Sequence, residues 1–384
     1  MITIRRPSSS RGSKPLVGLE IEPGAVHAAQ VTVNGAITIE RAGTVALEPG
    51  VVRDGEIVDV DALAEALKIL FAEHGLGKRV RVGVANQRAV VRHLMLPPIP
   101  DTKELATAVR FQAESEIPMP LDQAVLEHVS LGVVDTPSGP RERVLVVAAR
   151  RDMIERVLAA VRQAGLRPEG IDLSAFGMIR ALPAQPGQLV VHLSVGGLVN
   201  LALTRGGECL FTRVVGHGLE AMAADVAERQ SITVAEARAA IIEVGLPDRA
   251  VVAEVAAPHA DVTAFETEAA APRMTAADPA PAAVAPPRTL ADVCEGVVAD
   301  GVRRIATEVR NSIDFHLAGT SGLAPQVVET VLLTGRALAV PGFASALQTQ
   351  LGLPVEVRDV AGADPAAPGS HAVAAGLAVE EAVA

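Results

Sequence analysis

An α/β protein built of two similar lobes is predicted by three observations. Residues 189–204, L-V-V-H-L-S-V-G-G-L-V-N-L-A-L-T, form an apolar strand, a turn at Gly196 and Gly197, and a second strand running to another turn at Gly206 and Gly207. That pattern is a β-hairpin. It occurs twice: residues 17–35 align with it without gaps, placing Glu20 on His192, Glu22 on Ser194, Gly24 on Gly196, Thr32 on Thr204 and Gly35 on Gly207. The first copy is also followed by a further strand, a helix and a strand, an α/β unit that the repeat predicts again after residue 189. Two hairpin tips facing one shared cleft are the expected result.

Each element follows from local chemistry. Residues 36–50 are a third strand and a turn at Pro49-Gly50. Asp59 or Asp61 caps a helix carrying Leu63, Leu67 and Leu70 at helical spacing, and Gly75 ends it. A short buried strand follows at 80–85. Strand 90–96 stops at Pro97-Pro98-Ile99-Pro100, which cannot continue a ladder. Residues 101–117 are an amphipathic helix with Leu105, Val109, Phe111 or Gln112, and Glu116 on successive turns, stopped by Pro118 and Pro120. Strands at 121–133 and 143–149 flank a polar turn, and Asp152 caps a helix at 153–164. This β-α-β-β-α block has the character of an inserted subdomain whose strand edge and helix suit a partner peptide. In the second half, helices are expected at 218–229 and 233–244, the latter opened by a Thr233-x-x-Glu236 capping box. Residues 258–288 are rich in Ala and Pro without periodicity, the composition of a disordered linker. A long helix at 289–318 presents Leu290, Val293, Val297, Val302, Ile305, Val309, Ile313 and Phe315. Strand 328–333 breaks at Thr334-Gly335, and helices at 341–351 and 372–383 close the chain.

Composition narrows the function. A chain of 384 residues with 49% hydrophobic and 21% charged residues has material for two domains. Seven Phe with no Trp or Tyr exclude stacking platforms for single-stranded nucleic acid or sugars, and a net charge of −11 opposes general nucleic-acid binding. The two cysteines, Cys209 and Cys294, form neither a disulfide framework nor a zinc site, which fits a reducing cytoplasm. The basic, Ser-rich N-terminus has no apolar core of a signal peptide, and no run of about 18 apolar residues occurs. Nine His lack metal-ligand spacing, and the P-loop, nucleophile-elbow and H-E-x-x-H motifs are all missing. No catalytic residue is expected.

Three segments carry a family resemblance: G-L-E-I-E-P-G-A-V, then F-Q-A-E-S-E-I-P-M-P-L-D-Q-A-V-L-E, then V-L-L-T-G-R-A-L-A-V-P-G-F-A-S-A-L-Q-T-Q-L-G-L-P-V-E-V. In this order they resemble the PilM family of type IV pilus assembly proteins, relatives of the division protein FtsA. The resemblance implies an actin-like ATPase fold with two lobes of duplicated RNase H-like βββαβα units and an inserted β-α-β-β-α subdomain, called 1C. It implies a tail at 1–16, a first lobe at 17–188 with the insert at about 84–165, and a second lobe at 189–384 whose last helix returns to the first. It also implies ATP and Mg²⁺ clamped between two phosphate-binding hairpins. The implied partners are the N-terminal peptide of a PilN-like inner-membrane protein, the PilN/PilO complex and the pilus motor ATPases, with the protein held at the inner face of the plasma membrane through them.

The nucleotide positions depart from that family. Relatives open the first hairpin with D-x-G, where this chain has Glu20 and Glu22; a later Lys is His27 here. The matching positions of the second hairpin are His192 and Ser194, and the adenosine stretch L-T-G-G-G is Leu333-Thr334-Gly335-Arg336. Two carboxylates beside a polyphosphate repel it unless a metal intervenes. The resemblance therefore assigns the cofactor site to Glu20, Gly24, His27, His192, Ser194, Gly196, Gly197, Thr334, Gly335 and Arg336, with Glu20 as the Mg²⁺ residue, and predicts weak or lost ATP binding. Phe111 and Leu126 are the expected partner-binding residues. A catalytically silent adaptor is the first reading. An active ATPase switch is the second, and an FtsA-like division filament the third. The last helix has no Lys, Arg, Trp or Phe to rest on a membrane, which counts against the filament.

Overall fold

The computed structural model describes residues 15–247, 289–318 and 327–379. The tail at 1–14, the expected linker at 258–288 and residues 380–383 of the helix expected at 372–383 lie outside the described residues, and the helix itself ends at Leu377.

The first lobe begins with an antiparallel meander of β1 (Val17–Glu22), β2 (Ala25–Val33) and β3 (Ile37–Ala46). After a small ribbon of β4 (Val52–Arg53) and β5 (Glu56–Ile57), α1 (Val60–Glu73) crosses to β6 (Arg79–Val84), which pairs in parallel with β1. Asp59 caps α1 by accepting the Ala62 N–H, and Leu63, Leu67 and Leu70 face the core. The insert follows as β7 (Val90–Leu96), α2 (Thr102–Glu116), β8 (Ala124–Thr136) and β9 (Gly139–Arg150), its sheet ordered β7-β9-β8. Helix α2 packs on that sheet through Leu105, Val109 and Ala113. Phe111 is 77% exposed and Glu116 is exposed, so the inward stripe runs one position off the expected one. Helix α3 (Arg151–Gln163) packs on α1 and on β10 (Arg167–Leu173) of the first lobe. Asp152 lies in its first turn and not at the cap. Helix α4 (Ser174–Ala181) completes the lobe.

The second lobe repeats the plan. β11 (Leu189–Val195), β12 (Val199–Arg205) and β13 (Glu208–Val215) form the meander. Helices α5 (Leu219–Gln230), α6 (Val234–Val244) and α7 (Leu290–Ala318) lead to β14 (Thr330–Thr334), parallel to β11. The Thr233–Glu236 capping box opens α6. A 3₁₀ turn at Arg336–Ala339, α8 (Phe343–Leu351), β15 (Val355–Val357) and α9 (Ala372–Leu377) finish the chain. The sheets run β3-β2-β1-β6-β10 and β13-β12-β11-β14-β15, the same topology twice. Leu290 and Phe315, expected on the buried face of α7, are 39% and 77% exposed, while Val293, Val297, Val302, Ile305, Val309 and Ile313 are buried.

Strand alternation sets how the lobes meet. On β11, Leu189, Val191, Leu193 and Val195 enter the second lobe's core, whereas Val190 joins Ala202 and Leu332 in the core of the first. His192 and Ser194 share the face of Val190. Helix α9 lies on β1, β2 and α4, where Gly18, Gly177 and Gly376 leave room for backbone to approach backbone.

Candidate functional site

The two hairpin turns, Pro23-Gly24 and Gly196-Gly197, meet at the seam between the lobes. Glycine is required there by space. A Cβ on Gly197 would strike the Pro23 carbonyl, and one on Gly24 (φ +80°) would strike the Glu220 carboxylate. Gly335 (φ +97°) runs along the end of β11, where a Cβ would lie 2.6 Å from the Val195 nitrogen. The first N–H of α5, on Leu219, donates to the Gly196 carbonyl at 2.7 Å, so the hairpin tip also takes the helix's leading donor.

At the centre is Glu22, 7% exposed. Its Oε2 accepts the Gly197 N–H at 2.8 Å, and its Oε1 stands 3.2 Å from His27 Nε2 and 3.0 Å from Arg336 Nε. The Arg336 contact is an ion pair and not an aligned hydrogen bond. Arg336 also comes within 3.7 Å of Glu220, whose carboxylate accepts from Arg238 at 2.8 and 3.1 Å. On the other side, His27 Nδ1 is 2.9 Å from Thr44 Oγ1, which is 3.0 Å from His371 Nε2. These contacts run without a break from His371 through Thr44 and His27 to Glu22.

Burial alone would raise the Glu22 pKa, but Arg336, His27 and the Gly197 N–H outweigh it and hold the carboxyl below its ordinary value. Glu20, on the same face of β1, is pushed well above its ordinary value by burial and by the Glu22 charge, against the pull of Arg336. His371 is lowered to about 4 by burial and by His27, and His192 to about 4 by burial.

Of the residues expected to hold nucleotide, Gly24, His27, Gly196, Gly197, Gly335 and Arg336 come together around Glu22, with Glu20 beside them. His192 sits deeper, with Nε2 2.9 Å from Thr204 Oγ1 and Nδ1 without a partner. Ser194 lies between Asn200 and Thr334 in the sheet, and Thr334 donates to the Gly369 carbonyl at 3.4 Å. Thr44, Glu220, Arg238 and His371 complete the network without having been foreseen. Only Glu220, an acid opening a helix after Gly218, carried a local signal.

The chemistry of this donor set does not fit a polyphosphate in the arrangement seen. The Gly197 N–H already serves a carboxylate, and a Cβ on Gly196 would run into that same carboxylate. Arg336 faces Glu22 and Glu220, and Arg238 faces Glu220.

A second feature is a cavity of about 650 Å³ between the first lobe, the insert and the second lobe. Asn86, Gln87 and Arg92 line one side, and Asn200, Arg213 and His217 the other. The walls are joined beside it by Arg143–Glu208 at 2.6 Å and by His93 Nε2 2.9 Å from the Cys209 carbonyl. Asn200 is 4% exposed, and neither Nδ2 nor Oδ1 has a hydrogen-bond partner. Phe111 and Leu126 are not among the lining residues. Leu126 packs toward the insert's core, and Phe111 points away from it.

Two lobes of one topology closing on facing hairpin tips define an actin-like fold. The structure of the ethanolamine utilization protein EutJ from Carboxydothermus hydrogenoformans matches over 98% of this chain and 93% of its own, with 14% identity and a TM-score of 0.52. MreB5 of Spiroplasma citri bound to ADP matches over 95% of each chain, with 11% identity and a TM-score of 0.50. The chain belongs to the type IV pilus assembly protein PilM family, whose model matches residues 18–279. A PilM-PilN type IV pilus biogenesis complex is similar over 95% of this chain and 98% of that chain, with 24% identity and a TM-score of 0.69. Among the described residues no helix is long and apolar enough to cross a membrane.

Proposed function

We propose that this protein is an adaptor of the type IV pilus assembly platform. It binds the N-terminal peptide of a PilN-like inner-membrane protein in the cavity between insert and lobes, and does so without a nucleotide cycle. Through that peptide it is held at the inner face of the plasma membrane, beside the PilN/PilO complex and the motor ATPases. Family membership and the similarity to a PilM-PilN complex support the partner.

The observation that carries the peptide reading is Asn200. A buried amide with both its donor and its acceptor free costs stability unless something completes it. An extended peptide offers an N–H and a C=O side by side, the complement of an Asn side chain. The seam supports the nucleotide-independent part, because Glu22 and a phosphate compete for one N–H.

Calorimetric titration of the full chain with the partner's N-terminal peptide, with and without Mg²⁺-ATP, tests both parts. The expected result is saturable binding unchanged by ATP. Absence of peptide binding overturns the adaptor reading, and a shift in peptide affinity on adding ATP overturns its independence from nucleotide.

A further inference from the structure

The seam glycines do not line an open cradle: the Glu22 carboxylate fills the space beside Gly196 and the Glu220 carboxylate that beside Gly24, while backbone of Pro23 and Val195 closes on Gly197 and Gly335. Glu22 belongs to the first lobe, but its oxygens are held by two groups of the second, the Gly197 N–H at 2.8 Å and Arg336 at 3.0 Å. In the opposite direction, Glu220 of the second lobe packs over Gly24 of the first. Arg336 stands between the two acids, and Arg238 neutralises the second. An anion held by a turn N–H and a guanidinium at a hairpin tip is the arrangement suited to phosphate. Here the anion is part of the chain.

We propose that Glu22 is a built-in substitute for a phosphate group and that, with Arg336 and Glu220, it clasps the two lobes together when no ligand is bound. Removing its carboxylate has two consequences. The lobes lose their cross-link at the seam, and the Gly197 N–H with Arg336 becomes a vacant anion site. This extends the nucleotide-free reading above, and peptide affinity measured on the same samples keeps the two separable.

The test places spin labels on the full chain at exposed positions of each lobe, Lys68→Cys in α1 and Ser345→Cys in α8, both native cysteines being buried. Inter-label distances are read by electron paramagnetic resonance, and pyrophosphate is the anion probe. The unsubstituted seam should give one narrow distance distribution, indifferent to about millimolar pyrophosphate. Glu22→Ser, which removes the carboxylate and frees the Gly197 N–H, should add a longer-distance population. It should also bind pyrophosphate at least about tenfold more tightly, with recovery of the single distribution. Arg336→Gln should open in the same way without recovery. It leaves β1 intact and carries the distance measurement if Glu22→Ser does not fold. Unchanged distances in the folded variants overturn the clasp. Equal pyrophosphate affinity with and without the Glu22 charge overturns the phosphate-substitute role. Peptide binding that persists while the distances fail to move rejects the clasp alone.

Discussion

Glu22 Oε2 accepts the backbone N–H of Gly197 at 2.8 Å, joining residues 175 apart in the chain and on opposite lobes. A carboxylate stands at a hairpin tip because Gly196 has no side chain to exclude it.

That contact predicts an interaction between two substitutions. Gly196 lies outside the left-handed region, so Gly196→Ala is opposed mainly by collision with Glu22. The alanine should cost about 1–3 kcal/mol, as overpacking does. In a Glu22→Ser background the cost should fall by at least ~1 kcal/mol, measured by urea unfolding of the four proteins of the cycle. Additive costs would mean that the carboxylate is not confined as described.

Asn200 predicts opposite effects on stability and binding. Asn200→Leu removes two unpaired buried polar atoms and should stabilise the chain by about 1 kcal/mol. The same change should weaken the partner peptide at least about tenfold. Unfolding midpoints and calorimetry on one preparation check both. Binding retained within about twofold would remove Asn200 from the peptide site.

The insert separates surface from core. Phe111→Glu, at a side chain 77% exposed, should leave stability within about 0.5 kcal/mol and peptide affinity within about twofold. Leu126→Glu puts a charge against the insert's small core and should destabilise by about 2–3 kcal/mol. Differential scanning calorimetry distinguishes them, and a stable Leu126→Glu protein would contradict the packing.

Acid should weaken the fold through buried histidines. The folded state holds His192 and His371 at about 4, while in the unfolded chain they titrate near their ordinary value of 6.5. Below 6.5 the unfolded chain therefore takes up protons that the folded one refuses, and stability falls until about pH 4, by on the order of 3 kcal/mol per histidine. Glu22, with its lowered pKa, adds a loss at still lower pH, whereas Glu20, with its raised pKa, takes up its proton in the folded state first and offsets part of the histidine loss at pH above its ordinary value of 4.5. Urea midpoints between pH 7 and pH 4 should fall less in His192→Gln than in the parent, and parallel curves would refute the assignment.

The sequence by itself determined the hairpin repeat, the Thr233 cap, an acidic cap on α1 left open between Asp59 and Asp61, the long apolar stripe of α7 and the extra carboxylates at the first hairpin. Those depend on spacing within a few residues and on side-chain chemistry. β10 was not legible because its register slips between Pro168 and Gly170, which hides the alternation, and β15 has only three residues. α4 was obscured by Gly177, a small residue that helix-to-helix approach of α9 requires. Phe111 and Phe315 have core-like chemistry yet point outward, since a helix's buried face is set by what packs on it. Tertiary structure alone decided the fate of the charge at the seam. Two carboxylates near a phosphate position are legible as a conflict in the sequence. Packing the lobes brought Arg336 and the Gly197 N–H to Glu22, and packing α5 on α6 brought Arg238 to Glu220, because Coulomb attraction depends on distance in space and not on separation along the chain.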